Sequence, residues 1–225
     1  MTLNQLRRIN KNIKIKGITN KSFVKYGRIV TGYDFTEMIK YVEKKTPIPE
    51  EGILCVNSVN SMELLDISKK ISRTIFGEVD IQIGYLSGRN SKLNYLEYHK
   101  SNQILIAVTD LIVFIGRVQD IKEEQYDSSK AEIFFIPEGV AVELYSTALC
   151  SAPCKMEEKG FKSIIIQPKG TGSSLSEKNN EASLLYSKNK WIIAHSEAAC
   201  YINNNNQLGL VGENMEVLIN HESLT

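Results

Sequence analysis

Glu97 and His99 stand two residues apart near the middle of the chain, and they are its most suggestive pair for chemistry. Residues 93–103 have the pattern of a strand followed by a turn, and successive side chains of a strand point to opposite faces of a sheet. The two side chains therefore share a face, and the turn brings Gln103 close to them. A carboxylate, an imidazole and an amide presented in this way predict ligands for a divalent metal inside a β-barrel.

A catalytic metal usually has at least three protein ligands, so we expect a further donor from another strand. Cys150 would supply it as a thiolate, which favours a softer ion such as zinc. Glu143 is the other candidate, because it shares a strand face with Tyr145. Two alternatives stay open: a hydrogen-bonded Glu97–His99 pair without metal, and a buried free thiol at Cys150.

Other residues are candidates for proton transfer or for contact with a substrate. His195 ends a predicted strand and would be a general base near neutral pH if the face that it shares with Trp191 lines the barrel. The alternative is a histidine bonded to backbone at a strand end. Glu143 is the second candidate base. The predicted substrate-binding residues are Arg89, Tyr95, Gln103 and Tyr145.

Short apolar runs separated by turn residues dominate the chain from residue 79 onward. This spacing predicts an antiparallel sandwich or barrel rather than alternating strands and helices. The expected strands are 80–86, 93–99, 103–108, 111–117, 132–136, 141–145, 163–167, 191–195 and 208–211.

Residues 1–78 have a different pattern, with apolar positions at three- and four-residue spacing. Asp34 would be the N-cap of one helix, and Ser61 would open a second helix that runs to Ile75. We therefore predict an α-rich N-terminal arm, residues 1–78, that packs on a barrel domain formed by residues 79–225.

The composition excludes several classes of protein. The chain has 225 residues, 42% of them hydrophobic and 24% charged, with a net charge of +1. This balance argues against binding to nucleic acid, and no apolar run approaches the roughly 20 residues that span a bilayer. Four cysteines without dense spacing do not make a disulfide framework. We expect a cytoplasmic protein with reduced thiols.

The residues just described resemble the two motifs of the cupin superfamily. The first motif corresponds to Glu97, His99 and Gln103 with Gly116, and the second to Pro137-Glu138-Gly139. Residues 80–215 are also similar to a small uncharacterised bacterial cupin-like family, and distantly to ureidoglycolate lyase. The resemblance implies a mostly β fold, the cupin double-stranded β-helix or jelly-roll barrel, and a homodimer.

The chain departs from the cupin pattern at three positions. Glu97 replaces the first histidine ligand, Gln103 replaces the usual glutamate, and the second motif lacks its histidine, with Val142 at the standard spacing. The resemblance then implies Glu97, His99 and Cys150 as ligands of zinc, manganese, iron or nickel.

Three functions from different classes follow from these observations. The first is a metal-assisted isomerase, epimerase or lyase that acts on a small polar metabolite such as a sugar or hydroxy acid, as in carbohydrate metabolism. The second is a metal-free cupin that binds a small molecule as a sensor, a carrier or a decayed enzyme. The third is a structural role for the N-terminal arm with an inert barrel.

Overall fold

The computed structural model describes residues 1–176, 184–201 and 208–219. Its α-helices are α1 (Leu3–Ile9), α2 (Thr36–Lys45), α3 (Asn60–Glu63) and α4 (Asp66–Thr74). The strands before residue 120 are β1 (Ile15–Gly17), β2 (Gly27–Val30), β3 (Ile53–Val56), β4 (Ile81–Gly88), β5 (Tyr95–Tyr98), β6 (Gln103–Ala107) and β7 (Leu111–Arg117). The later strands are β8 (Tyr126–Asp127), β9 (Glu132–Ile136), β10 (Ala141–Leu144), β11 (Ala148–Cys150), β12 (Phe161–Pro168), β13 (Leu185–Ser187), β14 (Lys190–His195) and β15 (Leu208–Val211).

Eight antiparallel strands form a barrel of two facing sheets. One sheet contains the order β10-β6-β12-β4, and the other contains the order β9-β7-β11-β5. Among these eight strands, successive ones along the chain belong to opposite sheets, except for the neighbours β7 and β9. This is the arrangement of a jelly roll. The predicted mostly β fold is therefore confirmed in its barrel part.

Side chains alternate between the inside and the outside of this barrel, as the period of two requires. Val113 and Ile115 of β7 pack inside against Val142 and Leu144 of β10. The outer face of the β7 sheet packs on α1 and on the segment around Val217. The outer face of the β6 sheet is covered by α2, α3 and α4. The core therefore has three layers, one inside the barrel and one on each outer face.

The N-terminal residues are part of the sheets, so the predicted α-rich arm is wrong as an architecture. β1 pairs with β9, β2 with β10 and β3 with β4, each at the edge of a barrel sheet. A polar cluster reinforces one of these junctions, because the hydroxyl groups of Ser22 and Tyr26 donate to Glu132 of β9 at 2.6 and 3.0 Å. The helices connect edge strands and cover a sheet.

The two predicted helices exist with different ends. The first is α2, whose N-cap is Phe35, while Asp34 accepts a hydrogen bond from the Thr36 amide. The second is divided into α3 and α4 at Leu65, and Ser61 lies inside α3. Within the described part of the chain, no helix combines the length and the apolar character needed to cross a bilayer.

Candidate functional site

A cavity of about 300 Å³ opens between the two sheets, beside the edge strand β3. Its walls come from β3, β4 and β12 on one side and from β5, β13 and β14 on the other. The lining residues are Ile53, Cys55, Val56, Asn57, Gly84, Tyr85, Leu86, Tyr95, Glu97, His99, Ala152, Ile165, Gln167, Thr171, Gly172, Tyr186, Ser187, Lys190 and Ile192.

The inward face of β5, with the residue that follows the strand, supplies three of the polar residues, as the alternation predicted. Tyr95, Glu97 and His99 all line the cavity, whereas Leu96 packs in the core outside the barrel. The imidazole Nε2 of His99 lies 4.0 Å from Oε1 of Glu97, and both residues are buried. The sequence-predicted pair therefore lies at the cavity, and Tyr95 lies beside it.

Lys190 is the charged partner of Glu97. Its Nζ lies 2.6 Å from Oε2 of the carboxylate. In the register of β14 with β5, Ile192 faces Glu97, so Lys190, two residues earlier, projects toward the same cavity. The alternation of Lys190 and Ile192 was the sequence signal for this residue, but the strand was expected to begin one residue later.

The electrostatics of the pair favour both charges. Burial alone would lower the pKa of Lys190, but the attraction of Glu97 outweighs burial and raises that pKa. Burial would likewise raise the pKa of Glu97, and Lys190 holds that pKa below its usual range. The pair is therefore a carboxylate and an ammonium ion at neutral pH.

Three further groups of the cavity, on His99, Tyr95 and Cys55, have pKa values shifted in the direction that favours the uncharged form. Burial lowers the pKa of His99, against a smaller opposing effect of Glu97. Burial and the nearby carboxylate raise the pKa of the Tyr95 phenol, and burial raises that of the Cys55 thiol. A neutral imidazole can accept or donate a proton. The ring of His99 makes no hydrogen bond to another described residue.

The predicted third metal ligands do not join Glu97 and His99. Cys150 lies opposite Glu97 in the pairing of β11 with β5, but its thiol donates to the Ser151 carbonyl at 3.3 Å, and it does not line the cavity. Burial and the adjacent carboxylate raise the pKa of that thiol, which disfavours a thiolate ligand.

Glu143 lies outside the barrel, because Val142 and Leu144 occupy the inward positions of β10. Its carboxylate accepts from Nε of Arg28 at 2.6 Å and from Nδ2 of Asn102 at 2.7 Å. Glu143 is therefore not placed to join Glu97 and His99 at a metal or to act as a base inside the barrel. Tyr145 follows on the same strand face and does not line the cavity.

The described residues do not fit a resident metal ion. Across residues 1–176, 184–201 and 208–219, no three His, Cys, Asp or Glu side chains converge closely enough to hold one. The carboxylate of Glu97, the best candidate ligand, is already bonded to the Lys190 ammonium group. A cation of the protein itself thus lies where the predicted ligands would hold a metal.

The remaining predicted residues also lie away from the cavity. His195 is on the opposite face of β14 from Lys190, where its Nε2 lies 3.0 Å from the Gly212 carbonyl and its Nδ1 accepts from the Glu197 amide. Arg89 donates to the carbonyl groups of Pro49 and Glu158.

Gln103 is likewise buried without reaching the cavity. It begins β6 and is 8% exposed, and its Oε1 has no hydrogen-bond partner among the described residues. It does not line the cavity.

Asn189 organises the rim next to Lys190. Its backbone has a φ of +56°, which asparagine tolerates better than most residues. Its Oδ1 accepts from the Lys100 amide at 2.9 Å, and its Nδ2 donates to the hydroxyl groups of Ser101 and Thr171 at 3.0 and 2.9 Å. One side chain therefore joins the turn after β5, the loop after β12 and the turn between β13 and β14.

Comparisons with known proteins identify a family but no activity. The model of a domain of unknown function, DUF4867, matches residues 15–215. No curated protein matches the chain at a significant level.

The similar solved structures resemble the chain only in part. A single-residue variant of oxalate decarboxylase from Bacillus subtilis is 13% identical over 59% of this chain and 29% of that chain, with a TM-score of 0.35. Salicylate 1,2-dioxygenase from Pseudoaminobacter salicylatoxidans is 10% identical over the same shares, with a TM-score of 0.32. The chain spans less than a third of either protein, and similarity at this level carries no argument about activity. The similarity to ureidoglycolate lyase stays a prediction.

Proposed function

The chain belongs to the DUF4867 family, and we propose that it binds a small polar metabolite in the cavity between its sheets, without a resident metal. The observation that carries this proposal is the contact of 2.6 Å between Lys190 and Glu97. An ammonium group there balances the carboxylate that a metal would need, and the cavity is within the size range of small-molecule sites.

The burial of polar groups supports the same function. His99, Gln167, Thr171 and Ser187 line the cavity and are each less than 9% exposed. Polar groups are costly to bury unless they are hydrogen-bonded, and a bound metabolite supplies such bonds. Ligand sites are typically concave, with apolar walls and a few convergent polar groups, as in this cavity.

Thermal unfolding of the full chain with a panel of small metabolites tests the proposal. We expect at least one compound to raise the Tm in chelator as much as in buffer with divalent metal, because a ligand that binds only the folded state stabilises it. The variant Lys190→Met should lose this shift. Lys188→Met, an exposed lysine on the same hairpin, should keep it. A shift that strictly requires metal would contradict the proposal.

A metal-assisted reaction is the second candidate, favoured by the placement of Glu97 and His99 in one cavity. It needs a further donor beyond those that the described residues bring together. Metal analysis of the purified protein after incubation with zinc, manganese, iron or nickel distinguishes the two. A metal-free site retains less than about a tenth of an equivalent, whereas about one tightly bound equivalent would establish the second candidate.

A further inference from the structure

The charges of the cavity cancel within its own walls. Glu97 and Lys190 are the acidic and basic residues among its described lining, and they are paired with each other. His99 and Tyr95 are neutral near pH 7 for the reasons given above. The described part of the wall that meets a ligand therefore has polar groups but no net charge.

A charged ligand would have to break this balance. An anion would compete with Glu97 for the Lys190 ammonium, and a cation would compete with Lys190 for the carboxylate. Either would leave a protein charge without its partner in a largely enclosed site, and an uncompensated buried charge is strongly unfavourable. An uncharged ligand leaves the ion pair intact.

The cavity also presents hydrogen-bonding groups that lack partners. The hydroxyl oxygen of Ser187 is buried with no hydrogen-bond partner among the described residues, and Ser187 lines the cavity. The ring of His99, 4% exposed, likewise makes no hydrogen bond within them. A hydroxyl group both donates and accepts, so a ligand bearing several hydroxyl groups matches a serine and a neutral imidazole at once.

Size and wall character restrict the ligand further. At about 300 Å³ the cavity is at the lower end of ligand-binding pockets, which corresponds to on the order of ten non-hydrogen atoms. Tyr85, Ile165 and Ile192 contribute apolar surface to the walls. A compact molecule with apolar C–H faces and polar edges fits such a lining.

We infer that the ligand is an uncharged, hydroxyl-bearing molecule of about the size of a monosaccharide, held by His99 and Ser187 beside the intact Glu97–Lys190 pair. This inference rests on the proposed function and narrows it to one class of ligand. The inference predicts that neutral sugars and polyols bind in the cavity, and that hydroxy acids and amino sugars bind more weakly.

Binding of matched ligands to the full chain tests this inference. The panel contains neutral hexoses, pentoses and polyols, the uronates of the same sugars and the corresponding amino sugars, each measured by thermal shift and calorimetry at pH 7.5. We expect the best neutral compound to bind at least about tenfold more tightly than its acid or amine counterpart. Tighter binding of either charged counterpart, or of a neutral compound without hydroxyl groups, overturns the inference but leaves small-molecule binding standing. No shift with any metabolite overturns both.

Charge variants supply a second readout that does not depend on one sugar. Glu97→Gln leaves the Lys190 ammonium unbalanced, so the preference should move toward the uronate by at least about tenfold. Lys190→Gln should move it toward the amino sugar. The double variant Glu97→Gln/Lys190→Gln removes both charges and should again prefer the neutral compound. Unchanged preferences in the two single variants would contradict the inference, and thermal unfolding without ligand checks that each variant folds.

Ser187→Ala tests the hydroxyl contact, with Ser163→Ala as its matched control. Both hydroxyl oxygens are buried and lack partners among the described residues, but Ser163 does not line the cavity. Ser187→Ala should weaken the binding of the neutral ligand about fivefold, and Ser163→Ala should leave it unchanged. Equal effects of the two substitutions would remove Ser187 from the ligand contacts.

Discussion

At the scale of residues, the contact between Lys190 and Glu97 determines what the site can do. Two opposite charges in a largely enclosed space lose hydration, and they regain that free energy only by staying together. The side chains of Glu97 and Lys190 are 11% and 19% exposed, so neither has bulk water as a ready substitute for its partner. The pair is therefore one electrostatic unit.

Removing one partner of this ion pair should lower the free energy of unfolding. Lys190→Met leaves the Glu97 carboxylate without its partner, and we expect it to lower the free energy of unfolding by about 3 kcal/mol in urea denaturation. Adding Glu97→Gln to that variant should restore most of the loss.

Lys69 is the control for this substitution, because its ion pair with Asp66 is exposed at the surface. Lys69→Met should leave the unfolding curve nearly unchanged, since such surface pairs contribute little. If Lys190→Met were as mild as Lys69→Met, the cavity would be better hydrated than the exposures indicate.

His99 gives the site a measurable pH dependence. Burial lowers its pKa in the folded chain below that of a histidine in the unfolded chain, which is about 6.5. Below that pH the unfolded chain binds a proton that the folded chain does not, so stability is complete above about pH 6.5 and decreases as the pH falls.

We expect the loss of Tm between pH 7 and pH 5 to be smaller in His99→Gln than in the native chain. Glu97 and Lys190 remain in both proteins, so most of their own contribution cancels in the comparison. Parallel curves for the two proteins would show that the imidazole titrates alike in the folded and unfolded states.

At the scale of elements, Gly84 allows β3 to approach β4 where the cavity begins. A Cβ atom added at Gly84 would overlap the Val56 carbonyl oxygen and would lie 2.6 Å from the carbonyl carbon of Asn57. Both obstacles are backbone atoms, which cannot rotate away. The shape of the cavity wall therefore depends on a residue without a side chain at this position.

Gly84→Ala should consequently displace β3 and reduce both stability and ligand binding. We expect a decrease in the free energy of unfolding of about 2 kcal/mol, since such overpacking typically costs 1–3 kcal/mol. Gly17→Ala is the matched control, because a Cβ there first meets the flexible Leu3 side chain at 3.4 Å. Similar losses in the two variants would mean that the close approach does not shape the site.

The strand pattern predicted which residues share a face, but it did not always predict which face lies inside. For β5 the inward face was predicted correctly, since Glu97 and His99 line the cavity. In β10 all four residues, from Ala141 to Leu144, are buried, so apolarity does not distinguish inside from outside and Glu143 was placed on the wrong side. β14 is similar, because its last four residues are buried. Which face lies inside depends on partner strands that are distant in the chain.

At the scale of the whole molecule, the first 78 residues belong to the barrel, although sequence alone separated them from it. β1, β2 and β3 have three or four residues each, and the partners of β1 and β2 lie more than 100 residues away. Patterns this short carry little local signal, whereas the helices between them have a clear period. Seven of the eight jelly-roll strands were predictable because turn residues separate their apolar runs, whereas β11, with three residues, was not predicted. The predicted homodimer and cytoplasmic location stay predictions.

Deletion of residues 1–78 should therefore destroy the fold instead of releasing a barrel. It would expose the edges of β9, β10 and β4 and remove the helices that bury Ile83, Ile106 and Ile164. We expect an aggregated or unfolded product, because unprotected edge strands and a bare apolar face promote association. Circular dichroism and sedimentation check this. A soluble, cooperatively unfolding fragment would show that residues 79–225 form an autonomous domain.

The amide of Asn189 has a mechanical consequence for the rim of the cavity. Because one side chain ties three segments that are far apart in sequence, none of them can swing outward alone without giving up its bond to that amide. Lys190 is the next residue along the chain, so the position of its ammonium group is coupled to all three anchors. We therefore expect these segments to move together, so that a displacement of Thr171 also displaces Lys190.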